Sequence, residues 1–257
     1  TRRSSDLSLI PDLIGMLIRF REFSAAIQAD IKKAFFTISV REEDRRYLRF
    51  MWPNDLGELT TWRLCRLPFG LNCSPFILSA VLKKHLQSEM SQCPEEHRWL
   101  LQLLLDSLYV DDCVTSLEDE QEMKQFVSES TASLAVAGMD LRKWRSNKLP
   151  PNEEASDTVL GIEWNAESDV LSLVLHDNGG CEDGDAGTIW TRRVLLRRVA
   201  SIFDPLGLAA PAHLVGKILL QQAWRVTNEW DEPLEHSLAA CAQSWWEIGR
   251  ASCRERV

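Results

Sequence analysis

The stretch Tyr109-Val110-Asp111-Asp112 constrains this chain more than any other. Apolar Leu103, Leu104, Leu105, Leu108 and Val110 lead into the two acids, and Cys113 and Val114 lead out, which predicts a buried β-hairpin with Asp111 and Asp112 at its turn. Carboxylates held side by side on a rigid bend repel each other and ionise comfortably only beside a cation, so a divalent metal is their natural partner. Asp-Asp is also ordinary turn chemistry in solvent. These four residues alone do not choose between the two readings.

A third acid points the same way. Ala25-Ala26-Ile27-Gln28-Ala29-Asp30-Ile31 reads as a small-residue strand ending on a carboxylate. An acid at the end of a buried strand is costly without a partner, so Asp30 is expected to be the first ligand of the same metal.

The net charge of −9 on 257 residues weighs against a nucleic-acid partner, because phosphate contacts need Lys and Arg. Distribution matters more than the sum. Acid gathers at 118–122, 153–157 and 182–185, while bases gather at Arg142-Lys143-Trp144-Arg145 and at Arg192-Arg193 with Arg197-Arg198, so a basic groove on an acidic body remains open. The seven cysteines are scattered, odd in number and without C-x-x-C spacing, which indicates neither a zinc site nor a disulfide framework. No apolar run approaches the about 20 residues of a membrane span and no signal segment opens the chain, so an intracellular protein without a membrane partner is expected. The chain starts at Thr1 in mid-pattern and is expected to be a piece of something longer.

Periodicity supplies the remaining elements. Residues 9–20 carry apolar side chains at helical spacing. Residues 45–52 and 58–67 alternate as a hairpin across Pro53–Gly57, and Ser74 and Pro75 stand as N-cap and first residue of a helix through His85. Ser116-Leu117-Glu118-Asp119 resembles a capping box before a helix that stops at Gly138. Leu141 to Trp144 starts a strand, Val159–Trp164 and Val170–Leu175 form a hairpin, and 176–188 is a Gly- and acid-rich loop. From Thr191 the pattern is helical, with Arg193 and Arg197 one turn apart; that basic stripe either tracks a phosphate backbone or is a solvated face. Phe203-Asp204-Pro205-Leu206-Gly207 ends that helix and Pro211 opens the next.

Five ordered blocks between Ala29 and Trp164 resemble the reverse transcriptases, most closely the Bel/Pao class of long-terminal-repeat retrotransposons. Ala29-Asp30-Ile31-Lys32-Lys33-Ala34-Phe35 resembles the first palm motif, Leu67 through Phe76 the second and Tyr109-Val110-Asp111-Asp112 the third. Gly138-Met139-Asp140-Leu141-Arg142-Lys143-Trp144 resembles the fourth, and Leu160-Gly161-Ile162 the primer-contacting fifth. Ile202 through Gly207 looks like the segment that follows the palm in Bel/Pao polyproteins. Lys33 stands where many retroviral enzymes carry an acid and Phe69 where they carry Gln.

The resemblance implies an RNA-directed DNA polymerase acting on an RNA or DNA template-primer with dNTP. Two Mg²⁺ (or Mn²⁺) ions would be held by Asp30, Asp111 and Asp112, with the Ile31 carbonyl completing a shell. It also implies a steric gate at Phe35, a nucleotide-pocket floor at Phe69 and Gly70, and Tyr109 near the primer terminus. Lys143 would be a general acid for pyrophosphate, with primer or template contacts at Leu160, Gly161, Arg193 and Arg197. The family places such a chain in a cytoplasmic virus-like particle, with RNase H and integrase elsewhere in the polyprotein.

The expected fold is α+β, a right-hand polymerase palm of antiparallel sheet backed by helices, with partial fingers and a helical thumb or connection region. Expected boundaries are 1–165 for fingers and palm, 166–190 for a hairpin strand and acidic loop, and 191–246 for the Pao-type helical region. Residues 247–257 read as translated sequencing adapter. A catalytically silent or domesticated nucleic-acid-binding remnant is the alternative. A Pao-type aspartic peptidase needs D-[ST]-G loops, and that tripeptide does not occur here.

Overall fold

The computed structural model describes residues 9–150, 152, 155–173, 189–226 and 229–254. The chain divides between Ser156 and Asp157 into two compact units, each with its own core.

The first unit is built on β1 (Ala25–Ile31), which lies between β5 (Asp112–Leu117) and β6 (Leu141–Ser146), with the short β4 (Leu108–Tyr109) outside β5; all neighbours are antiparallel. Its small-residue composition follows from this place, since β1 is buried along nearly its whole length. Ala25, Ile27, Ala29 and Ile31 share one face and join a core with Leu78, Leu82 and Leu86 of α3 (Ser74–Gln92). Leu100 and Leu104 of α4 (Glu95–Ser107) and Met123, Phe126 and Leu134 of α5 (Glu120–Val136) complete that core. On the other side α1 (Leu13–Phe20) is tied to β5, where the Ser116 hydroxyl donates to the Arg19 carbonyl (2.5 Å) and accepts from the Phe23 amide (3.0 Å). The four-residue α2 (Ala34–Thr37) follows β1, and β2 (Arg49–Pro53) with β3 (Leu59–Arg63) makes an exposed hairpin.

Several local expectations change. Leu103, Leu104 and Leu105 lie in α4, not in a strand, because the leucines sit at helical spacing against the core and only Leu108 and Tyr109 extend. Ser74 is the first helical residue, after Cys73 as cap, and its buried hydroxyl donates to the Pro68 carbonyl (2.7 Å). Ser116 belongs to β5, and the true cap of α5 is Asp119, whose carboxylate accepts from the Gln121 and Glu122 amides (2.8 and 2.9 Å). Residues 42–47 form a 3₁₀ turn, so the hairpin strands are shorter than expected.

In the second unit β7 (Thr158–Val159), β8 (Ile162–Asn165) and β9 (Val170–Ser172) form an antiparallel sheet. Val159–Trp164 is therefore not one strand. It folds back at Leu160-Gly161, whose φ values of 48° and 89° are those a tight two-residue turn demands at both positions. Helices α6 (Arg192–Ala200), α7 (Ala210–Val226) and α8 (His236–Arg254) enclose Trp190, Leu195, Val199, Leu219, Ala223, Leu238 and Trp245. The 176–188 loop lies outside the described residues. Among the described residues no helix is long and apolar enough to cross a membrane. The fold is mixed α and β, as the patterning predicts.

Candidate active site

Antiparallel pairing of β1 with β5 sets Asp30 directly opposite Asp112, and the Ile31 amide donates to the Asp111 carbonyl (2.8 Å). Acids some eighty residues apart in sequence thereby share one end of the sheet. Tyr109 pairs with Asp112 across the two-residue turn Val110-Asp111. Val110 holds φ at 58°, a region that β-branched residues avoid, so the turn that carries the acids is strained and kept in place by its surroundings.

Electrostatics follow from this crowding. Burial first, then the neighbouring charges of Asp111 and Asp30, push the Asp112 carboxyl up to about 6. Asp111 is also raised, by burial above all and by Asp30, against a hydrogen bond from its own backbone that lowers it. Burial and Asp112 push the Cys113 thiol up to about 12, which leaves it an inert core residue. Cys65, Cys73, Cys93, Cys113 and Cys241 are free thiols.

Among the described residues, no group of three His, Cys, Asp or Glu side chains converges closely enough to hold a metal ion as it stands. The donor chemistry nevertheless fits a hard divalent cation: the ligands are carboxylate oxygens, and burial together with the charge of Asp30 raises the proton affinity of Asp111 and Asp112, as a site awaiting positive charge would.

The fourth block supplies bases beside these acids. Gln28 pairs with Arg145 and Asp30 with Arg142, so β6 places two residues, Lys143 and Trp144, opposite Ala29 alone. This is a β-bulge, within which Lys143 takes a left-handed conformation (φ 57°), while Trp144 packs edge-on against Phe126. Reading the sequence missed Arg142 as a site residue: its Nε lies 3.8 Å from Asp30 Oδ2 and has no hydrogen-bond partner. The signal was the register, which alternation in the two strands permits but does not select. Lys32 reaches Asp140 at 3.7 Å, and its amide donates to the Asp140 carbonyl, fastening the end of β1 to the start of β6.

Phe35 is 5% exposed and belongs to the core, whereas adjacent Phe36 is 43% exposed. Phe69 meets both rings edge-on, at 4.6 Å from Phe35 and 5.7 Å from Phe36 between centroids. Gly70 holds φ at 87° with open space around it, so backbone conformation, not crowding, calls for glycine there.

Leu160, Gly161, Arg193 and Arg197 fall in the second unit. The four arginines of α6 do not form one exposed stripe. Arg192 and Arg198 are buried, with Arg192 stacked over Trp224 and Trp230 (4.0 and 4.7 Å) and Arg198 over Trp246 (4.5 Å). Arg193 makes a two-pronged pair with Asp231 (2.7 and 3.0 Å), and Arg197 is exposed.

Residues 17–154 match the family model for reverse transcriptase (RNA-dependent DNA polymerase), more than half of the chain. Residues 191–253 match that for the Pao retrotransposon-like RNaseH-like domain. No curated protein matches the chain.

Proposed function

We propose, from the premise that this chain belongs to the reverse transcriptase family, that Asp30, Asp111 and Asp112 are the metal-holding carboxylates of its polymerase centre. The chain is an RNA-directed DNA polymerase of the Pao retrotransposon type, and its family works on nucleic-acid template-primers with divalent metal ions. The observation that carries the site is the register of β1 on β5, which sets Asp30 against Asp112 beside the Asp111 turn.

Bound to these carboxylates, Mg²⁺ or Mn²⁺ would supply the charge that activates a primer 3′-hydroxyl and offsets charge on the transferring phosphoryl group, two ions acting together. The chain's own residues do the positioning. Asp30 and Asp112 are fixed by paired backbones and need little reorganisation. The Ile31 carbonyl stands beside Asp30 on the same strand, and Tyr109, paired with Asp112, faces the primer terminus. The exposed ring of Phe69 and the bend at Gly70 floor the nucleotide pocket. Phe35 closes that pocket against a ribose 2′-hydroxyl, an assignment supported by its contact with Phe69. Lys143, whose bulge sets it out of the regular alternation of β6, donates a proton to the leaving pyrophosphate. Leu160, Gly161, Arg193 and Arg197 contact the primer-template, and residues 191–246, which fall within the match to the Pao retrotransposon-like RNaseH-like domain, serve as the thumb or connection region. The dNTP substrate, the RNase H and integrase partners and a cytoplasmic particle belong to the same reading.

Primer extension tests it. With labelled DNA primer on an RNA template, dNTP and Mg²⁺ or Mn²⁺, Asp111→Asn is expected to lower incorporation about 1000-fold or more, because one metal-binding charge is lost while the turn is kept. Incorporation that survives Asp111→Asn would overturn the assignment.

A further inference from the structure

The segment Phe203-Asp204-Pro205-Leu206-Gly207 takes no part in the chemistry above, yet the structure gives its residues distinct tasks. Asp204 is the anchor of a corner between α6 and α7: its carboxylate accepts from the Leu208 and Ala209 amides (2.9 and 2.7 Å) just ahead of α7. Gly207 turns the chain with φ at 75°, and its amide donates to the Asp204 carbonyl (3.4 Å). The corner is tied back as well, since the His213 imidazole of α7 bonds the Val199 carbonyl of α6 (3.1 Å). Phe203, adjacent to the anchor, is therefore presented from a rigid bend.

Its ring goes to the β7–β8 turn. A Cβ placed on Gly161 would lie 2.7 Å from Phe203 Cε1, closer than real carbons approach, and a tight 3.1 Å from Cδ1, so the turn sits flush on the ring. Phe203 is 42% exposed and stands outside the core of its unit, so filling that core is not its task. The turn beneath it is strained, because Leu160 holds φ at 48°, and strain of this kind persists only where neighbours over-determine the backbone.

We propose that Phe203 is a positioning residue for the primer-contacting turn: it clamps Leu160-Gly161 in its left-handed conformation and so couples the RNaseH-like region to primer binding. The inference rests on the reading of Leu160-Gly161 as a primer contact. The three atoms nearest to a Cβ at Gly161 all belong to the Phe203 ring, so the ring is the point at which the coupling can be cut without dismantling α6 or α7.

The test measures affinity of the whole chain for a fluorescent DNA primer annealed to RNA, together with amide exchange over 158–162. Phe203→Ala is expected to raise Kd about tenfold and to speed exchange at the turn, with Phe203→Tyr within about twofold of the parent. In a Leu160→Ala background, itself weakened, adding Phe203→Ala should change Kd by less than about twofold, because the ring acts through the turn. A parental Kd for Phe203→Ala alongside a raised Kd for Leu160→Ala overturns the positioning role and leaves the primer contact standing. A parental Kd for Leu160→Ala overturns the primer contact and this inference with it. Should Phe203→Ala fail to fold by circular dichroism, Phe203→Leu takes its place, keeping apolar bulk but not the flat edge; a raised Kd supports the clamp and a parental one overturns it.

Discussion

At the scale of single residues, Asp112 states most about the site. Folding raises its pKa from the ordinary 3.8 to about 6, so the folded chain holds that proton more tightly than the unfolded one. The stability this contributes is complete below pH 3.8 and is lost as pH rises through 6, where the ionised carboxylate sits half-buried beside two like charges. Asp112→Asn is therefore expected to stabilise the metal-free chain at pH 8 by on the order of 2–3 kcal/mol and to be neutral near pH 3.5. Thermal unfolding in a chelator at the two pH values checks this; equal melting temperatures at pH 8 would sink it. The same residue shows how far reading the chain goes. Adjacent acids between apolar runs predict a turn at Asp111-Asp112 and a cation; the turn lies one residue earlier, at Val110-Asp111, with Asp112 already in β5, and the electrostatic strain is there. Arg142 was beyond reach, because a basic residue in a basic run acquires meaning only when the register sets it against Asp30.

At the scale of elements, glycine and caps divide along the same line. Gly216 lies inside α7, where helix propensity alone would make alanine better by about 1 kcal/mol. A Cβ there would fall 2.2 Å from the Trp245 ring, whose Nε1 is pinned to the Ala212 carbonyl (2.7 Å), so the ring cannot easily retreat. Gly216→Ala is accordingly expected to cost about 1–3 kcal/mol by overpacking, measured by urea unfolding of the intact chain. A stabilised variant would mean that the α7–α8 contact yields. Asp119→Ala should cost about 1 kcal/mol, since two amides lose their acceptor. The capping signal near 116–119 was legible, but its residue was misplaced: Ser116 is drawn into β5, where its hydroxyl ties α1 to the sheet, and that pairing is invisible in the local sequence. The bulge at Lys143 was hidden for a similar reason, since one extra residue in a strand shows only against its partner.

At the scale of the whole molecule, two units with separate cores predict two unfolding transitions. In scanning calorimetry Gly216→Ala should lower one transition and leave the other within about 1 °C, whereas a single shared shift would mean that the units unfold together. Local pattern along the chain limits what each short stretch can be: an acid-bearing turn, a small-residue central strand and helices with one apolar face. These are properties of neighbours along the chain, where periodicity and turn chemistry act. Packing between distant segments set which acid faces which and which arginines of α6 are buried against tryptophans. It also decided that a phenylalanine forty residues downstream presses on the Leu160-Gly161 turn. Such pairings depend on register and on packing between distant segments, and a local pattern is compatible with many of them.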